Sequence, residues 1–131
     1  MFEVLQPAGW AKPSGYANGI AARGKMIFIA GQIGWNESCA FESDDLVDQI
    51  RQTLKNVVAV ARAGGAEPEH IVSMTWFLTD RKEYSARLKE IGAAYRSVMG
   101  RRFPAMTALQ TAGLIEDRAK VEIQAIAVMP E

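Results

Sequence analysis

The sequence is poor in the residues from which covalent staples and metal sites are built. Its 131 residues include one cysteine, Cys39, and one histidine, His70. A single cysteine cannot close an internal disulfide, and this pair alone cannot hold a structural zinc ion, so we expect no metal. Fifteen basic residues balance fifteen acidic ones, which gives a formal net charge of zero. The charge balance does not indicate the basic surface typical of nucleic-acid binders, and we expect no such partner.

Long apolar runs are also missing. No uninterrupted stretch approaches the roughly 18 apolar residues needed to cross a bilayer, so we expect no membrane partner. The segment 1–10 contains Glu3 and no basic residue, which is unlike a signal peptide. The remaining composition, 49% hydrophobic and 23% charged, is ordinary for globular proteins. It predicts a single domain over residues 1–131, located in the cytoplasm.

Two segments carry apolar residues at helical spacing. The first follows Ser43, a good N-cap residue, and ends at Gly64-Gly65. The second follows Asp80 and ends at Gly100. The apolar faces comprise Leu46, Ile50, Leu54, Val57, Val58 and Ala61 in the first helix, and Tyr84, Leu88, Ile91, Tyr95 and Val98 in the second.

Extended segments surround these helices. A glycine-containing connection between residues 17–22 and 26–30 predicts a β-hairpin whose second strand ends in a turn at Gly31. Three further strands are predicted at residues 71–78, 104–111 and 119–129. The order β-β-α-β-α-β-β is typical of an α+β two-layer sandwich, in which two helices cover one face of a single mixed sheet.

The other face of that sheet is predicted to be apolar and uncovered. Alternation along the last strand turns Val121 and Ile123 towards the helices and Glu122 away from them. The apolar residues expected on the uncovered face are Val72, Met74, Trp76, Ile126 and Val128. Because a monomer rarely exposes such a patch, we expect the protein to oligomerise through this face.

Glu122 is the first candidate for acid–base chemistry. A carboxylate in mid-strand, between Val121 and Ile123, can take up and return a proton when a ligand lies beside it. The structural alternative is an ion pair with Lys120 or with an arginine of a neighbouring strand.

Other candidates are weaker. Gly31-Gln32 places exposed backbone and an amide at a strand end, where a ligand can bind, or simply ends the strand. Tyr16 can donate a hydrogen bond into a cleft, or only pack its ring. His70 is expected in an exposed loop, and Cys39 has no adjacent base that would activate it. Arg101-Arg102 is expected in solvent, although the pair could hold an anion.

Short motifs stand in a specific order between residues 15 and 128. They are Gly15-Tyr16, Ile29-Ala30-Gly31-Gln32-Ile33, Gln52-Thr53-Leu54-Lys55-Asn56, Phe103-Pro104-Ala105 and Val121-Glu122-Ile123-Gln124-Ala125-Ile126-Ala127. Together they resemble the Rid family, the YjgF-like (RidA-like) reactive intermediate deaminases. The resemblance implies a chorismate-mutase-like fold, a homotrimer around a central β-barrel, and a ligand cleft between each pair of subunits.

The resemblance also implies a reaction and its residues. Active family members hydrolyse reactive enamines and imines to oxo acids and ammonia, and they need no cofactor. The family's glutamate corresponds to Glu122, its tyrosine to Tyr16, and its Gly-Gln pair to Gly31 and Gln32. These residues are therefore expected to form the site.

Four positions depart from the family pattern. Met106 stands where an arginine clamps the substrate carboxylate, Ala30 where serine is frequent, Ala108 where cysteine is frequent, and Leu88 where asparagine is common. Together with Trp35, these residues are expected to give a roomier and more apolar cleft.

Three hypotheses follow. The first is an imine or enamine hydrolase that uses Glu122 on a substrate not held by the usual arginine. The second is a non-catalytic trimer that binds a small molecule or a protein in its clefts. The third keeps the deaminase reaction and recruits Arg101 or Arg102 as the anion clamp.

Overall fold

The computed structural model describes residues 2–130 of the chain. Its strands are β1 (Glu3–Leu5), β2 (Gly19–Ala21), β3 (Lys25–Ile33), β4 (Ile71–Leu78), β5 (Ala105–Gln110) and β6 (Val121–Met129). Its α-helices are α1 (Leu46–Ala63), α2 (Arg81–Ala86) and α3 (Leu88–Met99), and a 3₁₀ turn spans Pro68–His70. Within residues 2–130, none of the helices has the length and apolar character needed to cross a membrane.

Four strands form the main sheet, in the order β3-β6-β4-β5. β6 is antiparallel to β3 and β4, whereas β4 and β5 are parallel, so the sheet is mixed. α1 and α3 pack against each other and close the core on one face of this sheet. β1 and β2 form a separate two-stranded sheet. The predicted α+β two-layer sandwich is confirmed.

The sequence predicts Ser43 as the N-cap of α1, but the helix begins two residues later, at Leu46. Asp45 is the N-cap, and its carboxylate accepts a hydrogen bond from the Asp48 N–H. Ser43 accepts from the Asp45 N–H at 3.0 Å and donates to the Asp48 carboxylate at 2.9 Å, so it supports the cap from outside. The predicted apolar stripe is confirmed, since all six of its residues are buried: Leu46, Ile50, Leu54, Val57, Val58 and Ala61.

The predicted second helix is two helices. Asp80 caps α2 by accepting from the N–H groups of Lys82 and Glu83, but Arg87 leaves the helical conformation (φ −122°, ψ 27°) and α3 starts after it. The break lets the Arg87 guanidinium bind Asp45 at 2.7 Å and Glu90 at 2.8 Å, which ties this junction to the start of α1. Leu88, placed by the sequence on the apolar face, is 54% exposed because it begins a new helix.

The predicted hairpin is wrong. β2 pairs with β1, and β3 pairs with the last strand, β6. Gly24 (φ +144°) lies so close to Met129 that a Cβ there would collide with the Met129 carbonyl, and this approach directs the start of β3 to β6. Gly31 does not end the strand either. β3 continues to Ile33 through an irregularity between Ile29 and Gln32, so Gly31 lies in a bulge-like distortion of the strand.

The faces of β4 differ from the expected ones. Trp76 and Met74 are each 1% exposed and face the helices, because they pair with the core residues Ile123 and Ala125 of β6. Val128 is buried as well, at 5% exposure. Of the expected apolar face, only Val72 and Ile126 remain partly exposed.

The outer face of the sheet is nevertheless apolar. Phe28 pairs with Ile126 and is 71% exposed, and Met26, its neighbour on β3, is 53% exposed. Alternation along β6 is as predicted, since Val121, Ile123, Ala125 and Ala127 are all buried beneath the helices. Glu122 and Gln124 therefore lie on the outer face, beside this apolar surface.

Trp76 tests this orientation directly. Trp76→Ala opens a cavity between β4 and the helices, so it should lower the free energy of unfolding by about 3–5 kcal/mol. Trp10 is 63% exposed, and Trp10→Ala should change that free energy by no more than about 0.5 kcal/mol. Urea unfolding followed by circular dichroism, at one fixed protein concentration, measures both. A Trp76→Ala protein as stable as wild type would contradict the orientation.

The ion pairs of Arg87 predict an acid dependence. Hydrogen bonds from Arg87 hold the pKa of Asp45 and of Glu90 below their usual range. A carboxyl group with a lowered folded-state pKa adds stability above its unfolded pKa of about 4, and loses it as the pH falls through the folded value. The Arg87→Gln variant should therefore have a lower free energy of unfolding than wild type near neutral pH. This difference in free energy should become smaller in acid.

Urea midpoints measured at about pH 7 and about pH 3 check this dependence. Arg23→Gln is the matched control, because Arg23 is exposed and forms no ion pair with any of residues 2–130. If the urea midpoints of Arg87→Gln and wild type differ equally at both pH values, the expected pH dependence would be contradicted.

Candidate functional site

A cavity of about 620 Å³ lies between β5 and the helices α2 and α3. Four residues expected to bind substrate line it: Tyr16, Leu88, Met106 and Ala108. Its volume is within the range typical of small-molecule sites. We call this space the edge cavity, because β5 is an edge strand of the main sheet.

Tyr16 is positioned at the edge cavity because the next residue, Ala17, is bonded to the backbone at the start of β5. The Ala17 N–H donates to the Pro104 carbonyl at 2.9 Å, and Ala17 forms a parallel bridge with Ala105. The segment before Ala17 therefore runs beside the start of β5. Tyr16 itself is 42% exposed, so its ring borders the opening.

Aromatic side chains form the floor of the edge cavity. Trp76 contacts Tyr84 edge-on and Tyr95 at a tilt, with ring centroids 6.3 and 6.5 Å apart. Tyr95 stacks on Phe103 at 5.1 Å and donates its hydroxyl to the Arg102 carbonyl at 2.8 Å. The indole N–H of Trp76 is buried and has no acceptor among residues 2–130. Such packed rings give a rigid, apolar surface.

Two of these tyrosines are neutral hydrogen-bonding groups. Burial raises the pKa of Tyr84 and, further, that of Tyr95 above the usual tyrosine value. Both hydroxyl groups therefore stay protonated at neutral pH and can donate hydrogen bonds but cannot act as bases.

Glu122 lies on the other side of the sheet, against Gly31. A Cβ built on Gly31 would collide with Oε2 and Cδ of Glu122, so glycine leaves the space that the carboxylate occupies. Glu122 is partly buried and forms no ion pair with any of residues 2–130. The pairing with Lys120 or an arginine, considered above as its structural role, is thus not formed.

Three polar residues of α1 form hydrogen bonds near the end of β3 and the start of β6. Asn56 donates to the carbonyls of Ile33 and Trp35, at 2.9 and 2.7 Å, and accepts from Gln52 at 2.9 Å. Gln49 is 1% exposed and bonds three backbone groups, the carbonyls of Ser43 and Arg118 and the N–H of Lys120.

Sequence reasoning missed the positioning role of these residues. The available signal was their spacing, because residues 49, 52 and 56 follow one stripe of a helix beside its apolar face. Polar residues with that spacing on a core helix need buried partners.

The structure thus separates the expected site residues into two groups. Met106 and Ala108 pair with Met74 and Trp76 of β4, on the helix side of the sheet. Glu122 pairs with Phe77 on the outer side. Ala30 and Gln32 flank Gly31, and the Gln32 amide donates to the Ala30 carbonyl at 3.0 Å. A single chain does not bring the two groups together.

The remaining candidates lie outside both groups. Trp35 packs on Phe41 with ring centroids 5.8 Å apart and does not line the edge cavity. Arg102 lines a second cavity of about 370 Å³, beside Glu69 and Pro104. Cys39 is exposed. His70 lies in the 3₁₀ turn, where its Nδ1 accepts from the Glu67 N–H, rather than in an open loop.

Acidic and histidine side chains do not gather into a metal site. Among residues 2–130, no group of three or more His, Cys, Asp or Glu side chains is arranged to hold an ion.

Comparison with known proteins identifies the family. Residues 10–129 match the family model described as Endoribonuclease L-PSP. The chain is 34% identical over 129 residues to a RutC family protein of Pyrococcus horikoshii, covering 97% of this chain and 98% of that protein. It is 35% identical over 105 residues to the 2-iminobutanoate/2-iminopropanoate deaminase of Escherichia coli K12, covering 80% of each. The chain belongs to the Rid family.

Solved structures of Rid proteins share its fold. YyfB of Yersinia pestis, a Rid protein of unknown function, superimposes with a TM-score of 0.85 at 25% identity over 98% of both chains. Escherichia coli TdcF with bound serine gives a TM-score of 0.71 at 31% identity over 93% of this chain and 92% of that one. The chorismate-mutase-like fold expected from the resemblance is confirmed.

Met106 leads to a prediction about small anions. A thioether cannot replace the paired N–H donors of a guanidinium, so 2-oxobutyrate should bind only at millimolar concentration or more weakly. Met106→Arg should bind it about 10-fold more tightly, since a hydrogen bond to a charged group contributes roughly 1.5–3 kcal/mol. Isothermal titration calorimetry measures the change, with Met106→Leu as the uncharged control. Micromolar binding by the unaltered protein would show that another group already binds small oxo acids.

Proposed function

We propose that the protein hydrolyses imines or enamines to oxo acids and ammonia, in a cleft that two copies of the chain form together. The observation that carries this proposal is the placement of Glu122. Its carboxylate lies against the bare backbone of Gly31, on the sheet face that the helices leave uncovered, with no ion-pair partner among residues 2–130. A carboxylate without a structural partner is available to move protons.

Hydrolysis needs one group that transfers protons in two steps. The oxygen of water adds to the imine carbon, while a water proton passes through Glu122 to the imine nitrogen and gives a carbinolamine. The hydroxyl proton then passes through Glu122 to the nitrogen. The C–N bond breaks, the C=O bond of the oxo acid forms, and ammonia leaves, so Glu122 ends as it began. An enamine enters the same sequence after a proton shifts to its terminal carbon.

Assembly into a homotrimer supplies the rest of the cleft in this proposal. The apolar outer face around Phe28, Met26 and Ile126 is the surface that a second copy would cover. Glu122 borders that surface on β6. The edge cavity of the adjoining copy, with Tyr16 and Met106, would then face Glu122 and complete a binding space that one chain lacks.

A non-catalytic binding module is the second candidate. Met106 favours it, because losing the arginine expected from the family removes the group that orients a small imino acid. In that case the clefts would bind a metabolite without turnover, or a protein. The name of the matching family model refers to RNA cleavage, but a net charge of zero gives no electrostatic footprint for a polyanion.

Glu122→Gln separates the two candidates. The amide keeps the shape of the side chain but cannot pass a proton from water to the substrate, so it should abolish hydrolysis of imines generated in situ by an amino-acid oxidase. Native mass spectrometry should show the same trimer for this variant and for wild type. Glu116→Gln is the matched control, because Glu116 is exposed and lies outside both groups of site residues.

Either of two results would overturn the catalytic proposal. Full turnover by Glu122→Gln would remove the proposed proton carrier. Wild-type protein that binds ligands in the cleft but hydrolyses none of a panel of aliphatic and aromatic imines would favour the binding module. A stable monomer at micromolar concentration would contradict the assembly itself.

A further inference from the structure

The edge cavity contains a cation that the family resemblance does not assign. Arg96 of α3 is one of its lining residues, and no Asp or Glu is among them. The rest of the lining is mainly aromatic and aliphatic, and it includes three residues whose hydroxyl groups have no partner among residues 2–130, namely Ser14, Tyr16 and Tyr84. Arg96 is exposed, so its guanidinium lies at the rim of a mainly apolar cavity, where it can bind one anionic group.

Gly92 lets the guanidinium lie over the helix surface at this cavity. Gly92 is one turn before Arg96, and a Cβ built on it would be only 3.2 Å from Nη1 of Arg96. Both residues line the edge cavity. A glycine in the middle of a helix lowers helix stability. Because Nη1 of Arg96 lies close to the position that a Cβ would take, glycine leaves space for the guanidinium here.

Nearby carboxylates do not neutralise Arg96. Arg96 forms no ion pair with any of residues 2–130, and the positions three and four residues away on α3 hold Gly92, Ala93, Met99 and Gly100. Arg87, at the junction of α2 and α3, bonds Asp45 and Glu90 and lies 3.6 Å from Glu83. The two arginines thus differ, because Arg87 forms ion pairs within the chain whereas Arg96 forms none with residues 2–130.

We infer that Arg96 binds the carboxylate of the ligand, in place of the strand arginine replaced by Met106, and that the ligand is a monocarboxylate with a bulky apolar or aromatic body. The cavity volume of about 620 Å³ exceeds what a three- or four-carbon acid fills. The rings of Tyr16, Tyr84 and Phe103, none of which is fully buried, supply the surface for a larger body. The inference rests on the proposed function for the class of ligand, an imino or oxo acid.

Equilibrium binding of stable probes tests the inference without relying on turnover. The probes are phenylpyruvate, which is an aromatic oxo acid, pyruvate, which lacks the ring, and the methyl ester of phenylpyruvate, which lacks the charge. Phenylpyruvate should bind wild type at least about 10-fold more tightly than either of the others, because only it uses both the cation and the apolar wall. Tryptophan fluorescence or calorimetry measures the affinities.

Arg96→Gln should weaken phenylpyruvate binding by about 10-fold or more and leave the ester unaffected. Arg96→Lys should recover part of the loss, since it keeps the charge but not the paired donors. Gly92→Ala should raise helix stability, and because its Cβ would shift the guanidinium by only a few tenths of an ångström, it should weaken phenylpyruvate binding less than Arg96→Gln does. Arg101→Gln, outside the cavity, should bind as wild type does.

Three binding results would overturn or redirect the inference. Unchanged phenylpyruvate affinity in Arg96→Gln excludes Arg96 as the clamp, and a loss in Arg101→Gln instead assigns the anion to that loop. Equal affinity for phenylpyruvate and pyruvate excludes the bulky ligand class. The proposed function fails separately. If no imine is hydrolysed but binding still depends on Arg96, the clamp stands and the protein is a binding module.

Discussion

The two-residue alternation of β6 is the constraint on which the rest of this structure depends. β6 lies between β3 and β4, so each of its side chains must point either under the helices or away from them. Val121 and Ile123 are fully buried under the helices. Glu122, between them, is thereby fixed on the outer face, where the chain itself provides no cover. The same strand that forms the core thus presents the carboxylate on the face that the helices leave uncovered.

α1 controls the second half of that arrangement. Its apolar stripe packs on β3 and β6, and its polar residues Gln49 and Asn56 bond backbone groups at the ends of those strands. Buried amides with all their partners are rigid, and one left without a partner is costly. The end of β3 and the start of β6 are therefore held by side chains of α1, on the far side of the sheet from Glu122.

Particular residues show how far the sequence could predict this fold. α1 and the faces of β6 were predictable, because each shows one clear period of apolar residues. For β4 the sequence does carry an alternating pattern, but it differs from the predicted one. Ser73 and Thr75 mark the outer face, while Met74 and Trp76 belong to the core. The pairing of β3 with β6 was not predictable from local turn chemistry, because it joins residues that are far apart in the chain, such as Lys25 and Met129.

The positions of the candidate site residues in the fold could not be predicted from the sequence. Family motifs indicated Tyr16, Met106 and Glu122, yet they lie on two sides of one sheet because β5 and β6 present different faces at those positions. The chain could not reveal this separation without the strand register. Nor could it indicate Arg96, because no local pattern shows that α3 and β5 line one cavity.

Subunit complementation tests the central claim that two copies build one site. Glu122→Gln removes the proton carrier, and Ala108→Trp fills the edge cavity, so each variant alone should be inactive. Refolding an equal mixture should restore activity, because about one cleft in four then combines an intact Glu122 with an open cavity from the other variant. Recovery to about a quarter of refolded wild type is the predicted result. A mixture that stays as inactive as its components, while wild type refolded in parallel recovers, would contradict the account.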